Sequence, residues 1–218
     1  MTRELDWRTR AGRMVSSLGT LDPRVAQAMR EVPRHEFVPV ALASAAYEDT
    51  PLPLPAGDAT ISAPHMVALQ LEWAELAPGL RVLEVGSGCG YLAALVAQLT
   101  APEGTVDGVE LVPALPHEAR RRVERLGFAD RVRFIEGDGS DRVGERGPYD
   151  RIIVSCATRQ LFPLWLRHLA PHGTVVAPVG DAWGQELVRY REDDPLGPLD
   201  RGPRCAFVPL RRALSPDI

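Results

Sequence analysis

An apolar run that ends in clustered glycines constrains this chain most. Arg81-Val82-Leu83-Glu84-Val85 is followed by Gly86-Ser87-Gly88-Cys89-Gly90 and then by the apolar stretch 91–99. A run this short and this rich in branched side chains predicts a buried strand. Glycines at its end let the backbone turn tightly and approach a ligand without an intervening Cβ. The following stretch is the helix that such a strand feeds.

Residues further along repeat the alternation. Thr105–Glu110 reads as a strand and Pro113–Leu126 as a helix. Arg131–Ile135 and Arg151–Val154 read as strands, Leu161–Leu169 as a helix and Gly173–Pro178 as another strand. Gln185–Arg191 and Arg204–Leu210 are strands with no helix between them, so the linker Glu192–Pro203 reads as an exposed loop. This order predicts an α/β fold of the Rossmann-like, doubly wound kind: a mostly parallel sheet, helices on both faces and an antiparallel hairpin at one edge.

The first 60 residues read differently. Asp22-Pro23 is an N-cap acid followed by proline at the first helical position, and Pro33 ends that helix. Arg34–Val40 reads as loop and Leu42–Tyr47 as a short helical piece. Pro51, Pro53 and Pro55 make a stiff extended connection. A further helix is expected from Ser62, with Met66, Leu69, Trp73 and Leu76 on one face, closed by Pro78-Gly79. The expected organisation is one domain over 1–218: a helical cap with a proline-rich lid segment to residue 60, and the core from 61 onward.

Composition narrows the function. The 218 residues are 45% hydrophobic and 25% charged with net charge −4, the balance of a soluble protein and not of a basic nucleic-acid binder. Arg120-Arg121-Arg122, flanked by Glu118 and Glu124, reads as a solvated helix face. Cys89, Cys156 and Cys205 are odd in number and lack metal-ligand spacing, which predicts small buried side chains rather than disulfides or a metal site. No segment approaches the roughly 20 apolar residues that span a bilayer, and the N-terminus lacks a signal peptide's apolar core, so the cytoplasm is the expected compartment.

The pocket chemistry follows from the strand ends. Gly86, Ser87, Gly88 and Gly90 sit where a ligand binds in an open α/β sheet. Dinucleotide binding needs G-x-G-x-x-G, and this spacing is one residue short. Glu84 beside the loop would repel a pyrophosphate and attract an ammonium or sulfonium. Glu110, ending the second strand, can accept from both hydroxyls of a ribose, and Asp138 in Gly137-Asp138-Gly139 can accept an adenine amino group. Upstream, Thr60-Ile61-Ser62-Ala63-Pro64-His65-Met66 places one serine hydroxyl near the pocket.

Residues 82–91, Val109-Glu110 and Gly137-Asp138-Gly139 together resemble the cofactor motifs of S-adenosylmethionine-dependent methyltransferases. A narrower resemblance rests on Asp22-Pro23-Arg24-Val25, Val32-Pro33-Arg34-His35-Glu36-Phe37-Val38-Pro39 and Thr60–Met66, with Pro148–Val154, Leu169–Gly173 and Phe207–Leu210. Over roughly residues 13 to 211 the chain is similar to the protein-L-isoaspartate O-methyltransferases. That resemblance implies S-adenosylmethionine as cofactor, Ser62 as the active-site hydroxyl, and Thr60, Ile61 and His65 around the methionyl end or the substrate backbone. It implies that Gly86, Gly88, Glu110, Leu111, Asp138 and Gly139 hold the cofactor and that Val208 helps hold a substrate peptide. The implied substrate is an L-isoaspartyl residue of a damaged protein, whose ester collapses to a succinimide. Asp58-Ala59 and Ser155–Arg159 depart from the usual family pattern. A peptide-tailoring enzyme that esterifies a normal aspartate is therefore an alternative, and a non-catalytic cofactor-binding module is another.

Overall fold

The structure is a computed structural model describing residues 2–56, 58–144, 146–193 and 198–212. Its centre is a sheet of seven strands: β3 (Arg81–Val85), β4 (Thr105–Glu110), β5 (Val132–Glu136), β6 (Tyr149–Val154), β7 (Leu169–Asp181), β8 (Gly184–Arg191) and β9 (Asp200–Cys205). They lie in the order β5-β4-β3-β6-β7-β8-β9, the first five mutually parallel and the last two antiparallel. The alternating fold with an antiparallel edge is as the sequence predicts. Strand order reverses between β3 and β6, so the crevice of this sheet opens beyond the carboxyl end of β3, where Gly86 stands.

Side-chain alternation divides the core in two. Val82, Val106, Ile153 and Val176 pack toward helices α1 (Thr2–Ser17), α2 (Pro23–Glu31), α3 (Pro64–Trp73), α4 (Tyr91–Leu99) and α5 (Ala114–Arg125). Their neighbours Leu83, Val85, Ile152 and Val154 face the other side, around the fully buried Trp165 of α6 (Pro163–Arg167). Both faces carry helix, but unequally. No helix among the described residues is long and apolar enough to cross a membrane.

Several boundaries differ from the sequence reading, each for a local reason. Helix α1 was not expected: charges interrupt its stripe, yet Ala11, Met14 and Val15 are buried at helical spacing. Residues 34–47 form two 3-10 turns (Arg34–Phe37 and Val40–Leu42) and further turns, not a loop and a helix. Each 3-10 turn follows a proline, Pro33 or Pro39, and neither run is long enough to settle as an α-helix. Leu52–Pro53 is strand β1, paired antiparallel with Thr60–Ile61, strand β2. That pairing holds the residues before Ser62 extended. Helix α3 therefore begins at Pro64 with Ala63 as N-cap, so the expected helix start at Ser62 shifts by two residues. It ends at Trp73, short of Leu76, where Glu75 turns left-handed (φ 47°).

At the far edge, β9 covers Asp200–Cys205 rather than Arg204–Leu210, and part of the expected loop is strand; residues 194–197 of that linker lie outside the described residues. The apolar run 207–210 instead crosses to the loop after β6. Ala157 N–H donates to the Val208 carbonyl (2.8 Å) and Leu210 N–H to the Ala157 carbonyl (2.7 Å). Pro209 has no N–H for a longer ladder, and the Gln185 side chain holds Phe207 at both its N–H and its carbonyl.

Candidate active site

The glycine loop is pinned from below. Gly86 and Ser87 both donate their N–H groups to the Val109 carbonyl at the end of β4 (2.8 and 3.2 Å). Gly86 sits at φ +80°, and a Cβ there would meet Cys156 Sγ at 3.2 Å. Gly90, at φ +86°, has a different reason: a Cβ would stand 2.9 Å from the Phe134 ring, so this glycine lets α4 lie close on the sheet. Gly90 is on neither wall of the crevice.

Two adjoining cavities occupy the crevice, sharing Thr60, Gly86, Gly88 and Ser155. The outer one adds Glu110, Leu111, Gly139 and Val208. The inner one adds Ile61, Ser62, Gln70, Glu84, Ser87 and Tyr91. The sequence-expected residues thus converge, apart from three. Gly90 packs the helix. Asp138 is buried, accepts from Ser140 N–H (2.8 Å) and faces an adjoining cleft that also reaches Leu111. His65 is exposed, and both its backbone N–H and its ring Nδ1 lie 2.9 Å from Asp49 Oδ1, so it lines neither cavity.

Glu110 is the organised acceptor of the outer cavity. Its Oε2 takes the Gly88 N–H (2.8 Å) and its Oε1 the Val112 N–H (2.9 Å), which fixes the carboxylate plane and leaves each oxygen a second lone pair. Trp165 supports the same wall from the far core: its indole N–H donates to the Gly139 carbonyl at 2.6 Å.

The inner cavity is polar and unsatisfied. Glu84 Oε2, Ser87 Oγ and Tyr91 Oη are buried without a hydrogen-bond partner among the described residues. Such atoms are costly unless something polar meets them. Glu84 Oε1 accepts from Ser155 Oγ (3.1 Å). Burial holds the Glu84 carboxyl well above the usual carboxylate range; the Ser155 hydrogen bond opposes this, and the charge of Glu110 adds to it. A carboxyl raised on folding contributes most below its unfolded value of about 4.3, and that contribution is lost as pH rises through the folded value. Glu84→Gln is therefore expected to stabilise the ligand-free protein at neutral pH. The gain in Tm should be larger at pH 8 than at pH 5; equal gains would show that burial of the charge is not the cause.

Ser62 is half-buried on the inner wall, between β2 and the N-cap of α3. Its hydroxyl caps nothing and is free for a ligand, so the helix-cap role open to a serine here does not apply. Its carbonyl accepts from Arg34 Nη2 (2.9 Å). Sequence reasoning missed Arg34, Gln70 and Ser155. Gln70 is buried and donates to the Val154 carbonyl (2.9 Å). For Arg34 the signal was present: an arginine amid Val32, Phe37 and Val38, all buried.

These walls suit an elongated ligand. A charged or polar chain would satisfy the unpaired atoms inside, and a hydroxylated ring would meet Glu110 outside, with apolar contact at Val85, Val109 and Leu111.

Comparison with known proteins gives a consistent answer. Residues 12–215 match the family model for protein-L-isoaspartate(D-aspartate) O-methyltransferase. A protein-L-isoaspartate O-methyltransferase of Hyperthermus butylicus is 44% identical over 226 residues, covering 96% of this chain and 92% of its own. One from Methanopyrus kandleri is 45% identical over 206 residues, covering 93% and 90%. A solved protein-L-isoaspartate O-methyltransferase superposes with TM-score 0.82 at 32% identity; the match covers 93% of this chain and 65% of the longer one. A Plasmodium falciparum structure assigned to the same enzymes, in complex with S-adenosyl-L-homocysteine, gives TM-score 0.81 at 27% identity, covering 93% and 99%.

Proposed function

The chain belongs to the protein-L-isoaspartate(D-aspartate) O-methyltransferase family, and on that footing we propose that it methylates the α-carboxylate of L-isoaspartyl residues in proteins and peptides, using S-adenosylmethionine. The observation that carries this reading is the free Ser62 hydroxyl on the inner wall of a crevice whose outer wall presents the fixed Glu110 carboxylate.

When bound, S-adenosylmethionine supplies a methyl group on a sulfonium sulfur. Glu110 would accept from the ribose hydroxyls, with Leu111, Asp138 and Gly139 around the adenine. Gly86, Ser87, Gly88, Thr60 and Ile61 would surround the methionyl part, and Glu84 with its unpaired oxygen would meet the ammonium.

The acceptor is a carboxylate with a reference pKa of about 3.9, already ionised near neutral pH, so no strong base is required. What the chain must supply is alignment and exclusion of water. Ser62 would donate a hydrogen bond to one carboxylate oxygen and so aim the other. Val208 would flank the substrate backbone. Residues up to 60, closed off by the β1–β2 ladder that ends at Ile61, would act as the cover of a single catalytic domain.

Removing one hydrogen bond to a charged group costs about 1.5–3 kcal/mol. Ser62→Ala should therefore lower kcat about 10- to 100-fold, while calorimetric affinity for S-adenosylhomocysteine stays within about twofold. Full turnover in this variant would remove Ser62 from the reaction. Substrate class is tested by offering an isoaspartyl peptide beside its aspartyl twin. Base-labile methyl ester should form on the isoaspartyl peptide; transfer to the aspartyl twin alone, or to neither, would overturn the reading.

A further inference from the structure

Arg34 is the largest charged side chain in the interior, with 0% of its surface exposed. Its Nε–H donates to the Ala46 carbonyl (2.8 Å) and its Nη2–H to the Ser62 carbonyl (2.9 Å). The guanidinium carbon lies 5.1 Å from the centre of the Tyr91 ring, at the start of α4, and Phe37 packs on that ring at 5.3 Å. Among the described residues Nη1 has no hydrogen-bond partner and no carboxylate pairs with the group. Asp49, whose charge acts on it, is already engaged by His65.

A buried cation without an acid partner is an expensive way to hold two carbonyls, which turns attention to what the carbonyls belong to. One is in the cap, at Ala46. The other is Ser62 itself, at the joint between β2 and α3. The β1–β2 ladder fixes Thr60 and Ile61, and Pro64 starts the helix. Between them no hydrogen bond from the Ser62 side chain ties the serine to the helix. The Arg34 fork is what fixes the Ser62 carbonyl, and with it the peptide plane that follows the serine.

We propose that Arg34 is a positioning residue for the methyl transfer: it grips the Ser62 carbonyl from the cap and so holds the serine hydroxyl on the inner wall of the crevice. This rests on the role assigned to Ser62. It also explains why an arginine is needed. Two acceptors are met by separate nitrogens of one rigid plane beside an aromatic ring, which a lysine cannot reproduce.

The test uses the whole protein and two variants. Arg34→Lys keeps the charge and loses the fork. Arg34→Met removes the buried charge at similar volume, a change that buried ionic sites commonly survive, so it carries the test should the lysine variant fail to fold. In each, kcat with an isoaspartyl peptide should fall about 10-fold or more, while the peptide KM and the calorimetric affinity for S-adenosylhomocysteine stay within about threefold. In a Ser62→Ala background, Arg34→Met should add little further loss, because the two residues act as one unit. Turnover within twofold of the parent, loss of S-adenosylhomocysteine affinity, or fully additive losses in the double variant would each overturn the proposal. If Ser62→Ala alone kept full turnover while Arg34→Met lost it, the serine reading would fall and Arg34 would act by another route.

Discussion

Glu110→Leu should raise the dissociation constant for S-adenosylhomocysteine by about 100- to 1,000-fold. The carboxylate is buried, and its two oxygens are held by the N–H groups of Gly88 and Val112. Hydrogen bonds to a charged acceptor are worth about 1.5–3 kcal/mol each. Two hydroxyl donors from one ribose therefore put the loss near 3–4 kcal/mol. The same substitution leaves the Gly88 N–H without an acceptor, so the glycine loop loosens as well. Glu110→Gln keeps only one acceptor oxygen and should fall between the two. Isothermal titration measures both, and a change below about fivefold for the leucine variant would remove Glu110 from the cofactor seat.

The second large effect is on stability. Trp165→Ala should destabilise the fold by about 3–5 kcal/mol, the range for removing a buried aromatic side chain. The indole is fully buried, sits at the centre of the core between α6 and the sheet, and packs edge-on against Phe162 at 5.0 Å. For a domain of this size that corresponds to a fall in Tm on the order of 10 °C. Trp165→Phe separates the ring from its donor: it keeps most of the packing but leaves the Gly139 carbonyl without its 2.6 Å partner. This variant should lose about 1 kcal/mol in denaturant titration and weaken S-adenosylhomocysteine binding more than its stability loss alone implies. An alanine variant that melts within 2–3 °C of the parent, against the shift expected per kcal/mol, would show that the core relaxes around the gap.

Much of the fold was legible because strand and helix periods are strong signals in the parallel half. The strands feeding Gly86, Glu110 and Gly137 came out within a residue or so of their observed limits, since each is a short apolar run ending in a turn. The edge was less legible. The run Phe207–Leu210 looks like a strand in isolation, but Pro209 and the side chain of Gln185 direct it across the sheet end to Ala157. Such a contact between residues far apart leaves no local periodicity.

The crevice shows the same division. Glycines and terminal acids at strand ends are readable, and most of them line one or other cavity. His65, written into the same heptapeptide as Ser62, turns away to Asp49, because helix α3 starts one residue before it and carries its side chain outward. Arg34 was hidden for the opposite reason. Charge normally marks the surface, and beyond its apolar neighbours Val32, Phe37 and Val38 nothing local says that this guanidinium is enclosed by Ala46, Ser62 and Tyr91.

The crossing of residues 207–210 onto Ala157 also bears on how the protein matures. One wall of the outer cavity, from Val208 to Arg211, reaches its place only when that stretch meets a loop some 50 residues earlier. Closing so long a loop is slow relative to local helix formation. A nascent chain still threaded through the ribosome forms the parallel strands around Gly86 before it has a finished outer cavity, which closes only after residue 211 has emerged.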